Sequence, residues 1–413
     1  MDERKKIAVI GGGAAGLITA YLLDKRYDVT VFEKQPILGG NVRTLNKNVK
    51  GTRLSPDIQI ENGVLEFSQS YYPNFHKLLK QLKVEYTAYK SSISLFSEKQ
   101  FYPAKSLSYL NVKTMFELLK NPDYRTAVLK LTISQNEFEE EIKQSVAKHL
   151  SFSDFCFNQK LFKNYARALL MLSFSTPFNL VDDLPQTLIN DYCLSLPNSK
   201  WSFIKGGVFS YMNAILEQSN FKVICNATNI KVVRNANNIQ LHTNGENFKF
   251  DKLIIATTPG SVKHILADMT ENEREIFEDW ENQNFKTIAH TDTSFYGSHE
   301  QVYKTPMDLF VNYKGKAIGY NAYQNRGYGL TKKADYCFAY GLDSLIDPDK
   351  ILDVQNHVVP KYTKDHDLKI KKLKHFNGEN NTYFAGAYLN NGLHEGAVNS
   401  ALTVSRLLKG KTL

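Results

Sequence analysis

The sequence of 413 residues is too long for one ordinary domain and suits two, with ample length for a buried core. A hydrophobic fraction of 42% and a charged fraction of 23% are typical of a soluble globular protein, and no apolar run reaches the roughly eighteen residues of a membrane-spanning helix. The net charge of +9 favours a solvated lysine surface, with attraction to an anionic substrate or membrane surface as the alternative, and no nucleic-acid-binding module accompanies it.

The N-terminus and the cysteines bear on location and chemistry. Residues 1–6 lead directly into an apolar strand without a signal core, so the sequence predicts a cytoplasmic protein, with peripheral contact at the inner membrane face as a further expectation. The four cysteines show neither paired nor metal-ligand spacing, so a disulfide framework and a metal site are both unexpected. They are Cys156, Cys193, Cys225 and Cys337.

The predicted elements begin with a strand, a glycine turn, a helix and a second strand over residues 7–33, the length of one dinucleotide-binding unit. Residues 105–180 have helical spacing with charged outer faces. The apolar side chains of this segment could line a substrate tunnel, but side chains of this kind more often pack in a core. They are Phe152, Phe155, Leu169, Leu170, Met171, Leu172 and Phe174.

The second half of the chain shows strand patterns. Residues 221–257 resemble a β-meander that starts at 221–224 and ends at 252–257. Residues 286–345 alternate in polarity, which predicts a second antiparallel sheet. Its tyrosines either line the substrate cavity or pack as core: Tyr313, Tyr320, Tyr323, Tyr328, Tyr336 and Tyr340. A strand over 382–386 precedes a terminal helix from about Ala397.

The first glycine turn has the G-x-G-x-x-G pattern, with Ala14 and Ala15 inside it. Gly11 suits the tight turn, Gly13 allows the backbone to approach a pyrophosphate, and Gly16 allows close packing of helix on strand. Glu33 ends the next strand about twenty residues later, where a carboxylate can accept a hydrogen bond from a ribose hydroxyl. The strand, the helix and the acid together predict a dinucleotide site.

A second glycine turn beside the first favours FAD over NAD. Gly39 and Gly40 let the backbone pass a bulky ring, and Arg43 can reach phosphate, with Asn41 and Thr44 in the same turn. The sequence has no second G-x-G-x-x-G for a separate pyridine nucleotide. Nucleotide-type segments occur at both ends and in the middle of the chain, so two interleaved domains are expected. The FAD-binding domain takes residues 1–75, 200–285 and 375–413, and the substrate-binding domain takes 76–199 and 286–374.

Four further stretches resemble the flavin-containing amine oxidoreductase superfamily: residues 61–67 with 72–75, 201–207 with Tyr211, 290–292, and 384–388 leading to 392–397. The sequence looks closest to the bacterial branch found with cyclopropane-fatty-acid-synthase-like lipid methyltransferases. This resemblance implies an α/β fold, in which a Rossmann-like FAD-binding domain of the glutathione-reductase and amine-oxidase type is interleaved with a substrate domain of antiparallel sheet and helices. It does not carry over a reaction, since one fold hosts many chemistries.

The resemblance also implies further cofactor contacts. The turn at Gly386 and the helix start at Glu395 would hold the pyrophosphate and the pyrimidine ring, and the strand around Asn229 would pack on the adenine. The complete set of added contacts is Lys34, Gly63, Asn229, Thr257, Gly386, Ala387, Glu395, Gly396 and Ala397. Covalent flavin attachment within 338–413 is excluded because that stretch has no cysteine.

Three side chains are candidates for catalysis. The motif places His394 beside the flavin, although a histidine that caps the terminal helix is an equal alternative. His290 and Asp292 are two residues apart, so they lie on the same face of a strand. They could form an acid–base pair, but a structural pair is the favoured interpretation. Lys286 stands roughly where amine oxidases have the lysine that holds a water near the flavin.

The leading hypothesis is an FAD-dependent oxidoreductase in which a hydrophobic, fatty-acyl small molecule transfers hydride to flavin N5, giving desaturation or double-bond isomerisation. Leu393 stands where the monoamine branch has an aromatic wall, which argues against a simple amine. An amine oxidase that uses oxygen and a non-catalytic flavin subunit of a lipid-modifying complex are the alternatives. The sequence leaves the oligomeric state open.

Overall fold

The computed structural model describes residues 4–89, 93–96, 101–102, 144, 160–195, 200–235, 238–299, 307–313, 316–330 and 334–413. Its strands are β1 (Lys6–Ile10), β2 (Asp28–Phe32), β3 (Phe67–Ser68), β4 (Tyr86–Tyr89), β5 (Ile93–Phe96), β6 (Phe101–Tyr102), β7 (Trp201–Ile204), β8 (Lys222–Ile224), β9 (Lys231–Arg234), β10 (Ile239–Thr243), β11 (Glu246–Phe250), β12 (Lys252–Ile255), β13 (Asn282–His290), β14 (Met307–Tyr313), β15 (Lys316–Tyr323), β16 (Cys337–Tyr340), β17 (Ile351–Pro360) and β18 (Thr382–Phe384).

The described helices are α1 (Ala14–Leu23), α2 (Pro73–Gln81), α3 (Lys160–Phe174), α4 (Gln186–Ser195), α5 (Phe209–Glu217), α6 (Val262–Ile265), α7 (Glu271–Phe277), α8 (Asn325–Tyr328), α9 (His366–Phe376) and α10 (His394–Leu407). Short 3-10 turns link several of them. None of these helices combines the length and the hydropathy that crossing a bilayer requires. The predicted helical segment 105–180 is confirmed where α3 lies, whereas Phe152 and Phe155 fall outside the described residues.

A five-stranded parallel sheet has the strand order β18-β12-β1-β2-β8. The central strand β1 is buried from Ile7 to Ile10, because strands flank it and helices cover the sheet. Helix α1 follows β1 and packs against the C-terminal helix α10. That helix begins at His394, three residues before the predicted start, and the Tyr27 hydroxyl donates to the Leu408 carbonyl at its end.

The predicted meander is correct only in its middle. Strands β9, β10 and β11 form a separate three-stranded antiparallel sheet. The segment 221–224 was wrongly assigned to it: β8 pairs in parallel with β2 at the edge of the five-stranded sheet, and β12 pairs with β1. Val223 at this edge is 36% exposed. A parallel strand at a sheet edge therefore shows the same partial exposure as a meander strand, and the hydrophobic pattern of the sequence does not distinguish the two.

The second large sheet has seven strands in the order β17-β13-β16-β15-β14-β5-β6. It is antiparallel except where β14 meets β5, which confirms the antiparallel sheet predicted over 286–345. A further sheet has three strands in the order β3-β7-β4. Strands of the parallel sheet come from the beginning, the middle and the end of the chain, and the exact domain boundaries stay a prediction.

Candidate functional site

Two glycine turns touch each other at the carboxyl end of β1. The Gly39 amide donates to the Gly12 carbonyl at 2.9 Å, and a Cβ built on Gly40 would lie 3.0 Å from the Gly13 Cα. The φ angle of Gly39 is +124°, a conformation that L side chains rarely adopt. The contact between the turns therefore depends on glycine at both positions of the second turn.

Close packing at the start of α1 explains two more glycines. A Cβ on Gly16 would stand 1.9 Å from the Gly11 carbonyl oxygen, so only glycine lets the helix approach β1 this closely. A Cβ on Gly11 would stand 2.6 Å from the Ala256 carbonyl oxygen. These residues hold the backbone in place, and Gly16 is not part of the cavity wall described below.

Glu33 fixes the first glycine turn to the tip of β2. Its Oε2 accepts from the Gly12 amide at 2.7 Å, and its Oε1 accepts from the Gln35 amide at 2.8 Å. The side chain is 7% exposed and lies on the cavity wall. Each oxygen keeps a second lone pair, so the carboxylate can hold the turn and also accept from a ligand hydroxyl.

The N-terminus of α1 is suited to an anion. Its N-cap is Gly13, which provides no capping side chain, and the first helical turn contains no acidic residue. Unpaired amide donors and the positive end of the helix dipole therefore face the cavity. Nothing is closer than 3.5 Å to a Cβ built on Gly13, and the atom at that distance belongs to Gly40. A phosphate group fits this bare surface.

One cavity of about 880 Å³ joins these elements, near the upper end of the range of roughly 300–1,000 Å³ for ligand pockets. Most of the predicted cofactor residues lie on its wall: Gly11, Gly13, Ala14, Ala15, Glu33, Lys34, Gly39, Gly40, Asn41, Arg43, Gly63, Asn229, Thr257, Gly386, Ala387 and Ala397. The wall therefore has the length and the backbone surface for an extended dinucleotide.

Three more predicted cofactor residues do not lie on the wall. The Thr44 hydroxyl donates to the buried Glu61 carboxylate. Glu395 accepts from the amides of Asn74 and Phe75 at 2.9 Å each, so it binds the amides at the start of α2 instead of a ligand. Gly396 is required for packing, because a Cβ there would lie 2.7 Å from the Ala387 carbonyl oxygen. All three residues contact other protein groups next to the cavity and do not line it.

Arg43 is the predicted phosphate-binding cation, and it lies at the glycine end of the cavity. Burial lowers the pKa of its guanidinium, while the charges of Glu33 and Asp353 act in the opposite direction. The amide of Asn41 instead donates to the Val358 carbonyl at 3.3 Å, which ties the second glycine turn to β17. The Arg43 Nη1 donates to the Val42 carbonyl at 3.2 Å, and Arg43 is the basic residue of this turn on the cavity wall that could contact a phosphate.

The other end of the cavity is aromatic and aliphatic. It is formed by residues of α3, α4, β7, β14, β15 and β16 and of the segments before β3, α2 and α10. Its apolar and aromatic lining side chains are Leu65, Tyr72, Leu172, Phe174, Tyr192, Trp201, Met307, Tyr320, Ala322, Phe338 and Leu393. Of the tyrosines predicted to line the cavity, Tyr320 does so. Tyr340 stacks on Phe285 at 4.0 Å as core, and the Tyr313 side chain is outside the described residues.

His394 lies on the wall, as predicted from its motif. Its Nε2 is hydrogen-bonded to the Tyr211 hydroxyl at 2.7 Å, and the rings of Phe67 and Phe75 contact it edge-on. Desolvation lowers the pKa of the imidazole to about 3, so the ring is neutral at physiological pH. It can orient a ligand, but it cannot serve as a cationic acid there.

The two other catalytic candidates are not at the cavity. His290 is fully buried, with Nε2 hydrogen-bonded to Asn321 and Nδ1 accepting from the Asp292 amide, so it belongs to a structural network. Burial lowers its pKa to about 4. Lys286 points to the outer face of β13 and forms an ion pair with Asp343. The alternation of the strand turns Lys286 away from the site.

Glu66 is the wall residue that the sequence reasoning missed. Its side chain is 7% exposed, and neither carboxyl oxygen has a hydrogen-bond partner among the described residues. Desolvation raises its pKa to about 8. The available signal was one glutamate between the apolar Leu65 and Phe67, directly before a buried strand.

Comparisons with known proteins agree with this geometry. A family model described as an NAD(P)-binding Rossmann-like domain matches residues 9–82, which include both glycine turns. No curated protein matches the chain.

Solved structures match almost the whole chain. The CLA-producing fatty acid isomerase from P. acnes is 14% identical with a TM-score of 0.68, over 97% of this chain and 98% of that one. Cyclohexylamine oxidase from Brevibacterium oxydans IH-35A is 13% identical with a TM-score of 0.66, over 98% and 100%. Putrescine oxidase is 13% identical with a TM-score of 0.60, over 98% and 99%. The chain therefore has the amine-oxidase-type FAD-binding fold with an antiparallel substrate-side sheet.

Proposed function

We propose that this protein is an FAD-dependent oxidoreductase that binds FAD without a covalent bond and acts on a hydrophobic, fatty-acyl substrate, giving desaturation or double-bond isomerisation. The observation that carries the proposal is one cavity with a glycine-walled end and an aromatic end. The first end suits a dinucleotide and the second suits a hydrocarbon chain.

The glycine-walled end supplies the groups that would hold FAD. Gly11, Gly13 and the start of α1 would bind the pyrophosphate, Glu33 would accept from the adenosine ribose, and Gly386 lies where the wall continues toward α10. Bound FAD would supply a hydride acceptor at its N5 atom. The last cysteine of the chain, Cys337, is fully buried in β16 and does not line the cavity, which supports non-covalent binding.

The aromatic end supports a hydrocarbon substrate. Its side chains exclude water and offer a large apolar contact area. Leu393 contributes an aliphatic surface where an aromatic cage for an ammonium group would need a ring. The likeness in fold to a fatty acid isomerase agrees with this reading. The link to the lipid-methyltransferase-associated branch stays a prediction.

Amine oxidation is the second candidate. The carboxyl of Glu66, which has no hydrogen-bond partner among the described residues, could bind an ammonium group if it ionised, and two amine oxidases share the fold. A flavin that neither acyl nor amine compounds can reduce would instead favour a non-catalytic flavin subunit.

The test is an anaerobic titration of the FAD-loaded protein with linoleate, cyclohexylamine and putrescine, followed by flavin absorbance. Product analysis by gas chromatography accompanies it, because an isomerisation leaves the flavin oxidised at the end. We expect desaturated or rearranged product from linoleate, and none from protein freed of FAD. Bleaching by the amines together with unchanged linoleate would contradict the proposal.

A further inference from the structure

Glu66 is a buried acid on the wall of the cavity, where its neighbours along the chain, Val64 and Leu65, are apolar. Buried polar groups in folded proteins are nearly always hydrogen-bonded, and an exception needs an explanation. Both oxygens of Glu66 are without a partner in the part of the chain that the structure describes. The side chain lies among the residues that contact the cavity, together with Leu65 and Tyr72. A ligand bound in the cavity can supply the partner that the described residues do not.

We propose that the protonated carboxyl of Glu66 is the polar anchor of the substrate, donating a hydrogen bond to the carbonyl or carboxylate oxygen of an acyl group. This inference rests on the proposed function, because it assigns the head of the same substrate. It places the hydrocarbon chain along the aromatic wall and the oxygen-bearing head at Glu66.

The surroundings of Glu66 keep it protonated. Desolvation raises its pKa to about 8, so the neutral acid prevails at pH 7. Two tyrosine hydroxyls interact with the charge of Glu66. Tyr328 also interacts with Glu61. Tyr72 interacts more strongly with Tyr192 and Tyr71 and also with Glu395. Burial raises the pKa of both tyrosines well above the usual value, and it raises the pKa of Glu61 to about 8 as well.

A neutral acid selects an oxygen acceptor over an ammonium group. An ammonium group would need Glu66 ionised, and desolvation of this buried side chain disfavours the charged carboxylate. Glu61 already accepts from the Val208 amide and the Thr44 hydroxyl, so it is occupied in structural contacts. The protonated acid has one O–H to donate, and a carbonyl oxygen in an apolar cavity needs one donor.

The experiment compares three variants of the FAD-loaded protein: Glu66→Gln, Glu66→Leu and the control Glu246→Gln, which lies exposed on β11. Glutamine can still donate a hydrogen bond but does not titrate, whereas leucine fills a similar volume without a donor. Folding is checked by circular dichroism and flavin content. Binding of methyl oleate, oleate and oleylamine is measured by anaerobic calorimetry between pH 6 and pH 9.5. The ester is the main probe because it has no titrating group.

We expect methyl oleate to bind the parent protein and to lose about tenfold in affinity per pH unit above pH 8, where Glu66 ionises. Glu66→Gln should keep the affinity and lose this pH dependence, which distinguishes Glu66 from Glu61. Glu66→Leu should bind about ten- to a hundredfold more weakly at pH 7. The Glu246→Gln protein should behave like the parent.

The inference is overturned if Glu66→Leu binds the ester like the parent, if no acyl probe binds, or if oleylamine binds with an affinity that rises with pH and is lost in Glu66→Gln. Binding that depends on Glu66 without any acyl product would leave the anchor supported and remove the proposed reaction instead. The two failures are therefore distinguishable.

Discussion

Replacing Glu33 by glutamine tests how the nucleotide end of the cavity is held. The carboxylate accepts from the Gly12 and Gln35 amides at 2.7 and 2.8 Å. Glutamine has one acceptor oxygen, so one of these amides would face an NH₂ donor and lose its partner. A hydrogen bond to a charged group contributes about 1.5–3 kcal/mol. We therefore expect Glu33→Gln to weaken FAD binding by about ten- to a hundredfold, because the turn under the pyrophosphate is no longer fixed.

The assay is a titration of the FAD-free proteins with FAD, followed by flavin fluorescence, with Glu246→Gln as the matched surface control. Thermal unfolding of the FAD-free proteins separates a general loss of stability from a local loss of the binding surface. A local effect lowers FAD affinity with a smaller change in melting temperature. If Glu33→Gln binds FAD as tightly as the parent, Glu33 neither holds the turn nor contacts the nucleotide, and the reasoning is refuted.

Three further outcomes follow from the structure. Gly16→Ala, whose added methyl would lie 1.9 Å from the Gly11 carbonyl oxygen, should lower the free energy of unfolding by at least about 1–3 kcal/mol in urea titrations and lower the flavin content. Lys286→Ala breaks an exposed ion pair with Asp343, so it should cost less than about 1 kcal/mol and leave the rate of flavin reduction unchanged; a large loss of rate would return Lys286 to the site. Unfolded Glu66 ionises near pH 4.3, whereas folded Glu66 ionises near pH 8, so stability should fall as the pH rises between these values. Glu66→Gln should flatten this fall by a few kcal/mol, as measured by urea unfolding at pH 5 and pH 8.

The first dinucleotide-binding unit was predictable because its signals are local. A strand, a turn, a helix and the acid Glu33 lie within residues 7–33, and Gly11 and Gly16 have steric reasons within the same unit or one strand away. The partner of β2 was not predictable in this way. β8 joins the parallel sheet about 190 residues later along the chain, and its pairing depends on tertiary contacts that its three residues do not encode.

The position of Lys286 shows a different limit. Neighbouring residues of a strand point to opposite faces, so an error of one residue moves a side chain from the cavity side to solvent. Phe285 and Thr287 are buried and Lys286 is exposed. Matching a sequence motif leaves the position of Lys286 uncertain by one residue. The burial of Phe285 and Thr287 in the structure fixes which face of the strand Lys286 occupies.

The ionisable groups at the aromatic end constrain the chemistry. Burial lowers the pKa of the His394 imidazole to about 3, so the ring is neutral at physiological pH and is not a cationic acid, and its hydrogen bond to Tyr211 fixes its orientation. Glu66 lines the cavity, and burial raises its pKa to about 8, near the physiological range. Removing hydride from a hydrocarbon chain needs an apolar surface and a fixed head group more than a strong acid. One neutral carboxyl at the end of an aromatic wall satisfies that need, and the same carboxyl would have to ionise, against its surroundings, before an amine could bind.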